Sequence, residues 1–170
     1  MEVLQTLGQL IALLKEQKSV LEAMLETSWE ERRVIMNGES SRLEEIVRRG
    51  FGELKKLNAI EKKRAALHPV IAMEYGLPES GVTISAVAER ATPSERETLM
   101  KLQVELTSLL RRHSDLNKEN RELIEAHFEY TEAMLNLMVD SEDPLNNFYG
   151  GDGKAPPERK KTTGFFDGRA

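Results

Sequence analysis

Two histidines and an asparagine recur at seven-residue intervals in the second half of the sequence, at His113, Asn120 and His127. Imidazoles bind transition metals, so this repeat could supply ligands. On a helix, however, the two histidines lie about 21 Å apart, which is too far for one ion. Polar residues at such positions more often fix the register and partner choice of packed helices. The sequence therefore predicts no metal site and no cofactor.

Nucleophilic catalysis lacks its usual residues. The chain has no cysteine, and no Gly-x-Ser-x-Gly turn presents a serine. Ser114 and Asp115 adjoin His113, but consecutive residues of a helix point in different directions. The glycines between residues 150 and 153 neither follow a strand nor begin a helix, so they predict no phosphate-binding loop. We expect a protein that acts by binding and is not an enzyme.

Composition excludes further classes of function. The 170 residues include 29 acidic and 24 basic side chains, and a net charge of −5 disfavours non-specific binding to nucleic acid. The absence of cysteine excludes disulfides, zinc ribbons and iron–sulfur sites. No apolar run reaches the ~18 residues of a membrane span, and Glu2 stands where a secretory signal is basic. We expect a cytoplasmic protein with no nucleic-acid partner and no insertion into the membrane.

The predicted helices of the chain determine where its binding residues lie. The Asn37-Gly38 pair predicts a turn after a first Leu-rich helix, and Ser41 with Glu44 predicts a capping box at the start of a second. Pro69 predicts an end near His68, although a kinked continuation to Tyr75 stays open. The apolar stripe of this second helix is predicted to comprise Leu43, Val47, Gly50, Leu54, Leu57, Glu61 and Arg64, with Ile46, Phe51 and Ile60 alongside.

The third long helix follows a short connector helix near residues 84–90. Thr92-Pro93-Ser94-Glu95 predicts its start, because threonine caps, proline suits the first position and glutamate closes the box. We predict an all-α, elongated antiparallel bundle or coiled coil of three long helices over residues 1–140. The heptad stripe of the third helix comprises Leu99, Leu102, Leu106, Leu109, His113, Leu116, Asn120, Leu123, His127, Tyr130, Met134 and Leu137.

The third helix is predicted to be the longest, so its last turns would overhang the other two. Its residues between Ala133 and Val139 are apolar nearly all round, and such a turn needs cover on more than one side. Two interpretations stay open: a partner covers this stretch, or it packs on the first helix and the connector absorbs the difference in length.

Residues 141–170 are predicted to be a flexible tail. They hold five of the eleven glycines and three of the six prolines, which oppose regular structure. They also hold four of the nine aromatic residues, Phe148, Tyr149, Phe165 and Phe166. Aromatic side chains in a segment without a core to fill indicate that partners are met in the C-terminal third.

These features together resemble the FlgN family of flagellar type III export chaperones for hook-associated proteins. The matching segments, besides the Leu-rich first helix, are LEEIVRRGFGELKKLNAIEKKRAAL at 43–67, LNKENRELIEAHFEYTEAML at 116–135, NNFYGGDG at 146–153 and FFDGRA at 165–170. Their order along nearly the whole chain carries the resemblance.

The resemblance implies a chaperone that holds the C-terminal helical segments of export substrates and delivers them to the membrane export gate. It places substrate binding toward the C-terminus, where the candidate residues are Phe128, Tyr130, Met134, Leu135, Leu137 and Met138. It also implies that a tail tyrosine docks on the cytoplasmic domain of the export-gate protein. Tyr149, with Phe148, best matches that position.

A coiled-coil scaffold or regulator that acts through self-association is the alternative, because polar seam positions can specify an oligomer. The sequence leaves open which substrate is bound, the oligomeric state of the free protein, and the role of Phe165 and Phe166.

Overall fold

A computed structural model describes residues 2–141, with side chains for residues 5–78 and 80–138. This part of the chain contains helices and no strand, which confirms the predicted all-α fold. Its elements are α1 (Glu2–Asn37), α2 (Ser40–Tyr75), a 3-10 turn (Glu79–Gly81), α3 (Ile84–Ala88) and α4 (Pro93–Ser141). The described residues fall in two units, one ending at Phe128 and the other beginning at Glu129.

The turn between α1 and α2 lies at Gly38, as predicted. Its φ of 68° is in the left-handed region that glycine adopts without steric cost. The predicted capping box is wrong. Helix α2 begins at Ser40 after Glu39, so Ser41 already lies in the first turn, and Glu44 pairs with Arg48 instead.

The three long helices alternate in direction within the unit that ends at Phe128. Thr6 donates a hydrogen bond to Glu74 and Thr27 donates one to Glu53, so α1 and α2 are antiparallel. Lys18 pairs with Glu105 near the start of α4, and Ser28 further along α1 pairs with Asn117, so α1 and α4 are parallel. This is the arrangement that short connections impose on consecutive helices.

The hydrophobic core runs between these helices. Leu99 is fully buried, and the predicted heptad register of α4 fills the core as far as Leu116. The buried apolar residues that form one continuous cluster are Leu7, Leu10, Leu14, Leu21, Leu25, Ile71, Val87, Ala88, Leu99, Leu102, Leu106, Leu109 and Leu116.

The predicted stripe of α2 is partly wrong. Val47 and Leu54 are 41% and 43% exposed, whereas Ile46 and Glu53, one position earlier, are buried. At the buried position Glu53 accepts a hydrogen bond from Thr27 Oγ1 over 2.8 Å, which holds this side of α2 toward α1.

Helix α2 continues past Pro69 to Tyr75, which settles a point that the sequence leaves open. Ile71 and Ala72 are 0% and 5% exposed, and their burial holds the turn that follows the proline. Gly76, with φ 60°, then ends the helix, and the Leu77 N–H donates to the Ala72 carbonyl over 2.9 Å.

The predicted connector helix is confirmed as α3. The Thr83 side chain accepts a hydrogen bond from the Ala86 N–H and caps it. The predicted start of α4 is also confirmed. Glu95 accepts a hydrogen bond from the Thr92 N–H over 3.1 Å, as the capping box requires.

Candidate protein-binding surface

The C-terminal part of α4 exposes large apolar side chains. At 49 residues, α4 is longer than α1 and α2, which have 36 each. Every described side chain from Ile124 to Met138 is exposed. The exposed fraction ranges from 37% for Met134 to 70% for Phe128 among the six residues predicted to bind substrate, Phe128, Tyr130, Met134, Leu135, Leu137 and Met138.

These side chains continue the heptad register that forms the core earlier in the same helix. At these heptad positions Leu109 and Leu116 are buried in the core, whereas Tyr130, Met134 and Leu137 are exposed. An amphipathic helix of this length with its apolar stripe uncovered can pack against another helix through positions i, i+4 and i+7.

An apolar groove of about 180 Å³ lies just before this stretch, in the unit that ends at Phe128. The turn between α1 and α2 forms one side and α4 the other. Its lining comprises Val34, Ile35, Gly38, Ser40, Leu43, Ile124 and His127. Sequence reasoning missed this groove because it depends on which residues of α4 lie beside the turn.

Acidic side chains accompany the apolar residues of α4. Glu125, Glu129 and Glu132 are all exposed, and no lysine or arginine occurs between Arg121 and Lys154. The apolar stripe is therefore set in a negative surface. A helix that packs on it would be favoured by basic residues at its margins.

The polar residues of the predicted seam lie in different environments. Asn120 is 2% exposed, and its Nδ2 donates to the Ser28 carbonyl and to Glu31. This seam asparagine is therefore bonded within the chain, to α1. His127 is exposed. His113 is half-buried, and burial lowers its pKa while the carboxyl groups of Glu53 and Glu31 oppose that shift.

No group of three or more His, Asp or Glu residues among the described side chains could hold a metal ion. Within the same part of the chain, no helix is long and apolar enough to cross a membrane. The predicted gate-docking residues, Phe148 and Tyr149, lie outside the described residues, as do Phe165 and Phe166.

Long packed helices with an exposed apolar stripe define a helical protein that binds other proteins. A family model described as FlgN protein matches residues 1–157, and the chain belongs to the FlgN family. That family comprises flagellar export chaperones, as the sequence resemblance implies. The match includes the segment 146–153 and ends before 165–170. No curated relative and no solved structure matches the chain.

Proposed function

We propose that this chaperone binds the C-terminal helical segments of flagellar hook-associated proteins in the cytoplasm and delivers them to the type III export gate. The observation that carries the proposal is the run of exposed apolar residues from Phe128 to Met138 on α4, in a chain of the FlgN family. An export substrate whose terminal helix is amphipathic exposes an apolar stripe before assembly, and covering that stripe prevents aggregation.

The side chains on α4 suit such a substrate. Tyr130, Met134 and Leu137 present one stripe at helical spacing, which a substrate helix would cover with its own residues at i, i+4 and i+7. Met134 and Met138 are unbranched thioethers that adapt to irregular surfaces, so they suit a site that serves more than one substrate.

The acidic residues beside the apolar stripe of α4 indicate that basic substrate helices should bind best. Glu125, Glu129 and Glu132 border the apolar stripe, and α4 carries no lysine or arginine after Arg121. Long-range attraction between this surface and a basic substrate helix would speed association. We therefore expect cargo segments with lysine or arginine beside their apolar residues to bind best, with an affinity that falls as salt is added.

Delivery to the export gate is assigned to Phe148 and Tyr149. The support is the family resemblance of the segment 146–153, which the family model includes. The sequence predicts a flexible tail, and if such a segment orders on docking it loses conformational entropy, so its contact with the gate would be weak and reversible. A carrier that must release its cargo at the gate needs a contact of that kind.

Isothermal titration calorimetry tests the cargo role. The full chain is titrated with a synthetic peptide that spans the C-terminal helix of a hook-associated protein, and a scrambled peptide serves as the control. We expect a complex of one peptide per chain with a dissociation constant near ~1 μM. No heat of binding at micromolar concentrations, with the chaperone folded, would refute the cargo role.

Hydrogen exchange then locates the bound peptide. Backbone amides of residues 125–141 should exchange more slowly in the complex than in the free chain, because a helix covered on its apolar side frays less. Protection confined to the first half of α4 would place the cargo elsewhere.

A further inference from the structure

We propose that a second groove, formed by the middle of α1, α2 and α4, docks an amphipathic helix that carries a lysine or arginine among its apolar residues. The groove has a volume of about 330 Å³ and lies entirely in the unit that ends at Phe128. It shares no residue with the surface proposed for cargo, and the inference does not depend on the cargo role.

The first observation is an apolar stripe on α2 that the core does not use. Val47, Phe51 and Leu54 are 41%, 68% and 43% exposed, and all three line the groove. Their spacing of four and three residues is that of one helix face. A docked helix would cover this stripe with residues at the matching spacing.

The second observation explains why the stripe faces outward. Glu53 takes the buried position of α2 that the apolar pattern would give to Leu54. It is held there by a hydrogen bond from Thr27 Oγ1 over 2.8 Å. Because a carboxyl group occupies the core position, the apolar residues next to it are left on the groove side.

The third observation gives the chemistry of the occupant. Glu53 and Glu31 both line the groove. One oxygen of Glu53, Oε2, has no hydrogen-bond partner among the described residues, although the residue is only 9% exposed. A buried acceptor without a donor is unfavourable, and a cationic side chain would supply both the donor and the opposite charge.

No group around Glu53 Oε2 donates a hydrogen bond to it among the described residues, so a partner could supply the donor. Arg49, on the same helix, pairs with Glu30, and its charge also reaches Glu53, but it donates no hydrogen bond to Glu53 Oε2. His113 lines the groove and lies near both carboxyl groups, but burial lowers its pKa and favours its neutral form. The apolar lining of the groove and the carboxyl groups of Glu53 and Glu31 thus favour a helix with one basic residue between apolar anchors.

A labelled synthetic helix tests the proposal on the full chain. The probe has leucines at i, i+4 and i+7 with a lysine between them, and a matched probe has glutamate in place of the lysine. Fluorescence anisotropy measures both affinities. We expect the lysine probe to bind about tenfold more tightly than the glutamate probe.

Three variants distinguish this groove from other surfaces. Phe51→Ser should weaken binding of the lysine probe about tenfold, because an exposed aromatic anchor is lost without affecting the core. Met73→Ser, which removes an exposed apolar side chain of α2 that lies in neither the groove nor the cargo surface, should leave binding of this probe unchanged. Glu53→Gln should reduce the preference for lysine over glutamate to about twofold or less.

Several results would overturn the proposal. Equal binding of the two probes would show that the carboxyl groups of Glu53 and Glu31 do not determine which helix the groove binds. Loss of binding in Phe128→Ser but not in Phe51→Ser would place the probe on α4. A rise of about tenfold in probe affinity after removal of residues 142–170 would show that the chain's own tail occupies the groove. Dissociation of a stable homodimer by the probe, seen by sedimentation, would assign the groove to a second copy.

Discussion

Asn120 Nδ2 on α4 donates a hydrogen bond to the backbone carbonyl of Ser28 on α1, 2.9 Å away in the interior of the bundle. The same nitrogen donates to Glu31 over 3.1 Å. A heptad position that could hold leucine thus carries an amide that bonds to only one level of the neighbouring helix. This pairing fixes the register of α4 against α1, which is the role that the spacing of polar residues in the sequence predicts.

Asn120→Asp should destabilise the protein strongly at neutral pH. The substitution keeps the shape but replaces the donor by a buried carboxylate that faces Glu31, and we expect a loss of about 2–4 kcal/mol in the free energy of unfolding. Burial should raise the pKa of the new carboxyl group. Its destabilising effect should therefore diminish as the pH falls, because the protonated acid can donate to Ser28 again.

Urea denaturation of the Asn120→Asp variant at pH 7 and pH 5 measures both effects. Asn136→Asp is the matched control, since Asn136 lies on the same helix and is exposed. We expect the control to change stability by less than about 0.5 kcal/mol. Equal effects of the two substitutions would show that Asn120 does not fix the register.

The acid sensitivity of the bundle should depend partly on Glu105. Its carboxyl group accepts a hydrogen bond from Lys18 over 2.9 Å, and this bond holds the pKa of Glu105 below its usual value. A lowered carboxyl pKa contributes stability that is present above the unfolded-state pKa and lost as the pH falls through the folded-state pKa. Glu105→Gln should remove that contribution at pH 7 and leave stability in acid nearly unchanged.

Thermal melting between pH 7 and pH 3 tests the role of Glu105. The difference in Tm between wild type and Glu105→Gln should be small, about 1–3 °C at pH 7, and should shrink toward zero at pH 3. Glu122→Gln is the control, because its contact with Lys118 is longer and both side chains are exposed. A difference that grows in acid would contradict the assignment.

The sequence predicts most of the fold because its strongest patterns coincide with local structure. The five leucines of the stripe from Leu99 to Leu116 and the start signal at Thr92 leave one register for α4, and the structure has that register. The turn at Gly38 follows from the φ that glycine allows. These signals lie within a few residues of the feature that they determine.

The register of α2 could not be predicted in the same way. Its sequence offers two apolar stripes that differ by one position, through Ile46 or through Val47. The choice between them depends on the hydrogen bond that Thr27 donates to Glu53, which joins residues distant in the chain. The docking groove was missed for the same reason, since residues of three helices line it.

Ile71→Ala should show that the turn after Pro69 is held by packing. Ile71 is 0% exposed, and truncation of a buried isoleucine typically reduces the free energy of unfolding by about 2–5 kcal/mol. Met73→Ala on the same turn is the control, since Met73 is 80% exposed and its truncation should change stability by less than about 0.5 kcal/mol. Guanidinium denaturation measures both, and similar effects would mean that this turn does not pack on the core.

Tyr149→Ala should separate delivery from cargo binding. Under the proposed division of roles, the variant should bind the cargo peptide as wild type does and should lose about tenfold in affinity for the cytoplasmic domain of the export-gate protein. Phe165→Ala, another tail aromatic, is the comparison. Titration calorimetry with each partner in turn measures the two affinities. Equal losses for cargo and gate would contradict the division of roles.

Met134→Glu combined with Met138→Glu should weaken cargo binding about tenfold or more, because two charges enter the stripe that a cargo helix would cover. Both residues are exposed, so the helical signal in circular dichroism should stay unchanged. The matched control is Met100→Glu with Val104→Glu, which places the same charges at the same spacing on an exposed part of α4 outside the proposed cargo surface. Cargo affinity that falls equally in both double variants would reflect net charge, whereas unchanged affinity in the first would exclude this part of α4 as the cargo site.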